Sequence, residues 1–176
     1  MEVRGEVRDP IRVIRGWRGR AACRAVGITY RQLDYWARTG LVQPSVRPAT
    51  GSGSNRLYSF RDVVFLKVIK RLLDAGVSLR QIRKVVDVLQ RRGVKDLTEV
   101  TLLCDGSSVY ECRTAGEVID LMRGGQGVFG IAVKQSISEV MNRLSTLSCA
   151  EVPVVPPGQP AAAAPQTPVA QGADQS

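Results

Sequence analysis

The side chains best suited to chemistry in this chain lie within two helical turns of one another. They are Thr29, Tyr30, Arg31 and Tyr35. Their hydroxyl and guanidinium groups donate hydrogen bonds to phosphate oxygens and to the edges of bases. Leu33 and Trp36 are three residues apart and are expected on the opposite face, in the core. The spacing therefore predicts a short helix that contacts a nucleic acid with one face and packs with the other.

Two points about this helix stay open from the residues alone. Tyr30 and Tyr35 could pack against the core instead of facing a ligand. Arg38 lies at the carboxyl end of the helix, where a cation also complements the helix dipole. A contact with DNA and a purely local role are equally compatible with Arg38.

A second basic segment follows the helix and has the pattern of a β-wing. Gly51-Ser52-Gly53-Ser54-Asn55 supplies a turn, Arg47 precedes it, and Arg56 and Tyr58 follow it on the returning strand. Basic and hydroxylated groups at such a hairpin are suited to phosphate contacts. The alternative is that the Gly/Ser stretch is an inert flexible loop.

Helix-start patterns place these residues among four helices. Thr29 with Gln32 and Ser78 with Gln81 fit the capping box, and Ser59 with Asp62 is a weaker version. Apolar residues at helical spacing follow the caps at Ser59 and Ser78. Three glycines then end helices, and they are Gly27, Gly76 and Gly93. The fold expected here is a mainly α winged helix-turn-helix with four helices and a β-wing.

After Gly93 the pattern changes to a small α/β unit with the order ββαβα. Residues 101–104 and 109–112 read as a hairpin around Asp105-Gly106. Thr114 with Glu117 begins a helix, residues 128–133 form an apolar strand, and an amphipathic helix comes last. The apolar face of that helix has two interpretations: it packs in the core of its own chain, or it forms the seam of a homodimer. The seam residues would be Ile137, Val140, Met141 and Leu144.

Composition sets four segments along the chain. Residues 1–16 are expected to be a flexible basic arm, 17–93 the DNA-binding domain, and 94–149 a small domain for dimerisation or effector binding. Residues 150–176 are rich in proline and alanine and are expected to be a disordered tail.

Charge is divided unequally between the two halves. Residues 1–95 hold 21 Lys/Arg and 7 Asp/Glu, a balance of +14, whereas residues 96–176 hold 4 and 9, a balance of −5. No acid lies between Asp34 and Asp62. Such asymmetry is typical of a half that binds nucleic acid joined to a half that does something else, although arginine-rich helices can also be solvated faces.

Enzymatic and metal-dependent functions receive little support. The chain has no histidine and four cysteines without a CxxC pair, so no metal ligand set and no cofactor are expected. The Gly125-x-Gly127-x-x-Gly130 match to a dinucleotide fingerprint is reversed, because a helix precedes it and a strand follows it. With no leader and no long apolar run, we expect a cytoplasmic, nucleoid-associated protein with reduced thiols.

Residues from about 20 to 92 resemble the winged-helix DNA-binding domain of the MerR family of transcription regulators, particularly its actinobacterial branch. The resemblance runs through Gly27-Ile28-Thr29, Arg31, Tyr35, Arg38-Thr39-Gly40-Leu41, Arg56-Leu57-Tyr58-Ser59 and Ala75-Gly76-Val77-Ser78-Leu79. It departs from the family at Asp34, where many members have a basic residue. It departs again after Gly93, where typical members continue into one long dimerisation helix.

The resemblance implies a dimeric regulator that binds inverted repeats in promoters, with RNA polymerase as a partner at the promoter. It implies major-groove contacts by Thr29, Tyr30, Arg31 and Tyr35, and phosphate contacts by Arg56 and Tyr58. A small-molecule or protein effector on the C-terminal unit stays open. The alternatives are an architectural or recombination DNA-binding factor, and a signalling adaptor that carries a DNA-binding module.

Overall fold

The computed structural model describes residues 13–48, 55–92, 94–105, 108–114, 117 and 129–153. Within these ranges the chain forms six helices and six strands. The helices are α1 (Gly19–Val26), α2 (Tyr30–Arg38), α3 (Phe60–Asp74), α4 (Leu79–Gln90), α5 (Val94–Leu97) and α6 (Val133–Leu144). The strands are β1 (Val13–Arg18), β2 (Leu57–Tyr58), β3 (Thr101–Cys104), β4 (Val109–Cys112), β5 (Phe129–Ala132) and β6 (Ala150–Pro153).

Hydroxyl caps begin the three helices α2, α3 and α4. Thr29, Ser59 and Ser78 each accept from the backbone N–H three residues later, and the side chain at that later position accepts in return. These reciprocal bonds satisfy N–H groups that have no partner inside the helix. The caps therefore confirm the starts of all three helices predicted from the sequence.

Helix α3 lies at the centre of the molecule and is buried nearly all round. Its buried apolar residues are Val63, Val64, Phe65, Leu66, Val68, Ile69 and Leu72. Helices α1, α4 and α6 pack against it. The burial of α3 on several sides explains why apolar residues occur on more than one face of this helix.

Two three-stranded antiparallel sheets flank the helices, with the orders β2-β1-β6 and β4-β3-β5. In the first sheet β1 is central. Trp17 and Arg18 pair with Tyr58 and Leu57 of β2, and residues 13–16 pair with residues 150–153 of β6. This register corrects two expected boundaries, because part of the predicted arm 1–16 and part of the predicted tail 150–176 form a paired ladder. Residues 1–12 and 154–176 lie outside the described residues.

The expected division between residues 17–93 and 94–149 does not correspond to two separate cores. Leu66 and Ile69 of α3 belong to the same buried cluster as Leu102, Ile131 and Val140 from the second segment. The order β3, β4, β5, α6 agrees with the predicted pattern. The predicted helix between β4 and β5 falls mostly outside the described residues, with only Glu117 assigned as helical. A small unit gains stability by sharing apolar surface with its neighbour.

The apolar stripe of α6 is part of this shared core. Ile137, Val140 and Leu144 are buried, whereas Met141 is 56% exposed. The predicted dimer seam is therefore corrected at three of its four residues, because they already pack within their own chain. In the described part of the chain, no helix is long and apolar enough to cross a membrane.

Candidate nucleic-acid interface

Helix α2 is held between two turns in which glycine has a left-handed backbone. Gly27 ends α1 with φ of 82° and Gly40 follows α2 with φ of 72°, a conformation that other residues adopt only with strain. At the start of α2, the Thr29 hydroxyl accepts a hydrogen bond from Gln32 N at 3.2 Å, and Gln32 Oε1 accepts one from Thr29 N at 2.9 Å. Thr29 thus fixes where the helix begins, and its hydroxyl is already engaged locally.

The two faces of α2 divide as the sequence predicts. Leu33 and Trp36 are 1% and 2% exposed, whereas Tyr30 and Tyr35 are 50% and 45% exposed. Arg31 is also exposed and forms no salt bridge within the residues that the structure describes. The alternative in which the two tyrosines pack in the core does not fit this exposure. Tyr30, Arg31 and Tyr35 are available to a ligand, and their contacts with DNA remain a prediction.

Asp34 joins α2 to the wing. Its Oδ1 accepts from Arg56 Nη1 at 2.8 Å, and its Oδ2 accepts from Arg38 Nε at 2.9 Å. The hydrogen bond from Arg56, supported by the charge of Arg38, holds the pKa of the Asp34 carboxyl below its usual range. Sequence spacing reveals the Arg38 pair, which is four residues apart on one helix. Arg56 is remote in sequence, so no local pattern reveals its pairing with Asp34.

The two arms of the wing are paired through backbone hydrogen bonds. Arg47 N donates to Leu57 O at 3.1 Å, and Leu57 N donates to Arg47 O at 3.0 Å. Arg47 is exposed beside this bridge, and the tip at residues 49–54 lies outside the described residues. Asp62 braces the outgoing arm, since its Oδ2 accepts from the backbone N–H and the hydroxyl of Ser45, each at 2.8 Å. The sequence suggested Asp62 only as a cap and did not indicate this second role.

The phosphate contact predicted for Tyr58 is wrong, because this residue is fully buried. Its hydroxyl forms no hydrogen bond of ordinary geometry among the described residues. Burial raises the pKa of Tyr58 to about 12, against the opposing charge of nearby Arg56. Arg56 itself has a side chain only 15% exposed and paired with Asp34. On the returning arm of the wing, Tyr58 is therefore part of the core, and the guanidinium of Arg56 is bound to Asp34.

Helix α4 adds a contact to the carboxyl end of α2. Arg83 Nη1 donates to the carbonyl oxygen of Thr39 at 2.8 Å, where helix carbonyls lack internal partners. Sequence reasoning did not single out Arg83, because nothing local links it to Thr39. The contact ties the orientation of the exposed face of α2 to the rest of the helical core.

The cysteines do not assemble a site in the described residues. Cys23, Cys104 and Cys112 are buried and Cys149 is exposed, all four as free thiols. Burial raises the pKa of the three buried thiols, which disfavours the reactive thiolate. No group of three or more acidic, cysteine or histidine side chains that could hold a metal lies within the described part of the chain.

Comparison with known proteins agrees with this geometry. Residues 17–89 match the family described as MerR HTH family regulatory protein. The chain is 62% identical over 125 residues to uncharacterized HTH-type transcriptional regulators of Mycobacterium bovis and Mycobacterium tuberculosis, covering 71% of this chain and 56% of each relative. The HTH-type transcriptional regulator HmrR of Sinorhizobium medicae is 32% identical over 71 residues, covering 40% of this chain and 46% of HmrR. The chain thus spans little more than half the length of the mycobacterial proteins.

Proposed function

We propose, starting from the MerR-type helix-turn-helix domain that residues 17–89 form, that this chain regulates transcription by binding specific DNA sites. Helix α2 would enter the major groove, because its exposed face presents Tyr30, Arg31 and Tyr35 while its other face is locked in the core. A recognition helix reads base edges from such an exposed face. One observation supports this proposal most strongly: Arg31, in the segment that matches MerR HTH family regulatory proteins, is exposed and forms no salt bridge among the described residues.

Contacts with phosphates would come from the cations around this helix. Arg47 is exposed beside the wing, whereas Arg38 and Arg56 become available only if they leave Asp34. Phosphate contacts position a protein on DNA without reading the sequence, and they make the affinity depend on salt. Thr29 would act through the helix cap, and Tyr58 through the core.

The DNA site would be an inverted repeat bound by a homodimer, in a promoter where RNA polymerase is the neighbouring partner. Two copies supply two half-site contacts, and a two-fold protein matches a two-fold site. The dimer contact would not use Ile137, Val140 and Leu144, which are buried in the single chain. An effector would act on the segment from β3 to α6, which packs on α3 and so has a mechanical connection to the DNA-binding helices.

Genomic footprinting of the native protein tests this proposal. We expect protected sites with two symmetric halves, close to promoters, with half-site centres about one helical turn of DNA apart or a multiple of it. Long arrays of direct repeats would instead favour an architectural or recombination factor. Absence of any reproducible protected site would contradict sequence-specific regulation.

A further inference from the structure

The surface proposed to meet DNA carries one acid in contact with two of its cations. Asp34 binds Arg56 through one carboxylate oxygen and Arg38 through the other, at 2.8 and 2.9 Å. The Asp34 side chain is 30% exposed, so this bridge lies at the protein surface. Arg31, one turn earlier on the same helix, forms no salt bridge in the described part of the chain. On this surface, Arg31 and Arg47 form no salt bridge among the described residues, whereas Arg38 and Arg56 are both paired with Asp34.

We propose that Asp34 is a specificity-determining residue that withholds Arg38 and Arg56 from DNA phosphates. This inference rests on the proposed function. A phosphate that approaches Arg56 must displace a carboxylate at ideal hydrogen-bond distance, and it meets the repulsion of that carboxylate as well. Arg31 meets no such competition. Asp34 thereby lowers affinity for DNA of any sequence while leaving the reading of bases to the free side chains.

Weakening the phosphate contacts has a direct benefit for a regulator. Phosphate contacts supply nearly all non-specific binding, and a genome offers a large excess of non-specific sites. An acid that keeps two cations from contacting phosphates lowers mainly the affinity for non-specific DNA. In a specific complex the base contacts already fix the register, and the two arginines reach phosphates only where that register allows.

The test compares three chains on two DNA probes. The chains are the wild type, Asp34→Asn, and Glu139→Gln as the matched control. Glu139 is also a carboxylate between two cations and is similarly exposed, at 33%, but it contacts Lys67 and Arg71 between α3 and α6. The probes are a labelled duplex of random sequence and the duplex that the wild type most enriches from a randomised library. Fluorescence anisotropy over a salt series gives the affinity and its salt slope.

We expect Asp34→Asn to bind the random duplex about five- to thirtyfold more tightly than wild type, which corresponds to one or two added phosphate contacts near physiological salt. Its log–log salt slope should steepen by about one to two, and its gain on the enriched duplex should be smaller. Asp34→Glu should restore wild-type behaviour, and Glu139→Gln should match wild type on both probes. A merely structural role for Asp34 would weaken binding and would not steepen the slope.

Unchanged or weaker binding by folded Asp34→Asn on the random duplex would overturn the inference. Arg56→Gln in the otherwise wild-type chain gives a second test that does not require Asp34→Asn to fold. Because Arg56 is already occupied, this change should flatten the salt slope by less than about half a unit, and flattening by a full unit contradicts the inference. If the wild type binds neither duplex in a salt-dependent way, the proposed function itself fails.

Discussion

Asp34 and Glu139 each lie between two cations, but the surroundings of these two carboxylates differ. Glu139 accepts from Lys67 Nζ at 3.1 Å and also binds Arg71, and it joins α6 to α3. Asp34 joins α2 to the wing arm, at the surface that carries the exposed Tyr30. The α3–α6 contact continues into a buried apolar core, whereas the Asp34 bridge is surrounded by groups available to a ligand. The same arrangement of charges therefore serves cohesion in one region and can regulate access to cations in the other.

The largest expected effect tests whether the α3–α6 region is core. Val140→Asp should lower the free energy of unfolding by about 3–5 kcal/mol or prevent folding, because it places an unpaired charge at a fully buried position. Met141→Asp is the matched control on the next, exposed residue and should change stability by about 0.5 kcal/mol or less. Urea unfolding measures both. A folded, monomeric Val140→Asp protein would instead mean that this stripe is an interface between copies.

Local patterns predicted the parts of this fold that depend on near neighbours. The caps at Thr29, Ser59 and Ser78 could be read because each uses residues three apart. The pairing of β1 with β6 could not, since no local pattern specifies the partner of a short strand that is distant in sequence. The amphipathic stripe of α6 also indicates only that a face is covered. Its sequence contains no information about whether the covering surface belongs to the same chain or to a second copy.

The candidate site shows the same limit. The exposed and buried faces of α2 followed from the spacing of Leu33 and Trp36 relative to Arg31. The sequence predicts a phosphate contact for Tyr58, whereas the structure buries it. A tyrosine has both an apolar ring and a polar hydroxyl, and its neighbours in sequence do not decide which of the two determines its position. The sequence predicts a phosphate contact for Arg56 and gives no sign of its pairing with Asp34, because Asp34 lies on another element.

The next effect distinguishes the buried side of the wing from its exposed side. Because the pKa of Tyr58 is raised to about 12, this hydroxyl stays neutral in the folded protein at pH values where the unfolded chain ionises. Its contribution to stability is fully present below about pH 10 and is lost as pH rises toward 12, amounting to about 2–3 kcal/mol. Urea unfolding at pH 9 and 11, about one unit on either side of the ordinary tyrosine pKa, measures about half of this loss, on the order of 1.4 kcal/mol.

Tyr58→Phe is the control for that alkaline effect. The variant should lose less stability than wild type over the same pH interval, and it should bind DNA as the wild type does, because the hydroxyl is buried. A large loss of DNA affinity in folded Tyr58→Phe would restore the original expectation that this hydroxyl contacts a phosphate.

A smaller effect is expected for Arg31, on the face of α2 that is proposed to contact DNA. Arg31→Ala should cost about 1–3 kcal/mol on the enriched duplex and relax the preference at the bases it contacts. Lys134→Ala removes a similarly exposed cation from α6 and should leave that preference unchanged. Binding to a library with each base varied in turn provides the measurement. Intact affinity and intact preference in Arg31→Ala would show that α2 is not the reading helix.

The smallest expected effect concerns Glu139 and completes the comparison of the two carboxylates. Glu139→Gln keeps the shape of the side chain and removes its charge, so Lys67 and Arg71 lose an ionic partner but retain an acceptor. The pair is partly exposed, and the loss of stability in urea should therefore be about 1 kcal/mol. High salt should reduce the difference between this variant and wild type, because screening already weakens the ion pair. A steeper salt slope for DNA binding in Glu139→Gln would mean that the charge of α6 acts on DNA at a distance, and the separate roles assigned to the two carboxylates would then be wrong.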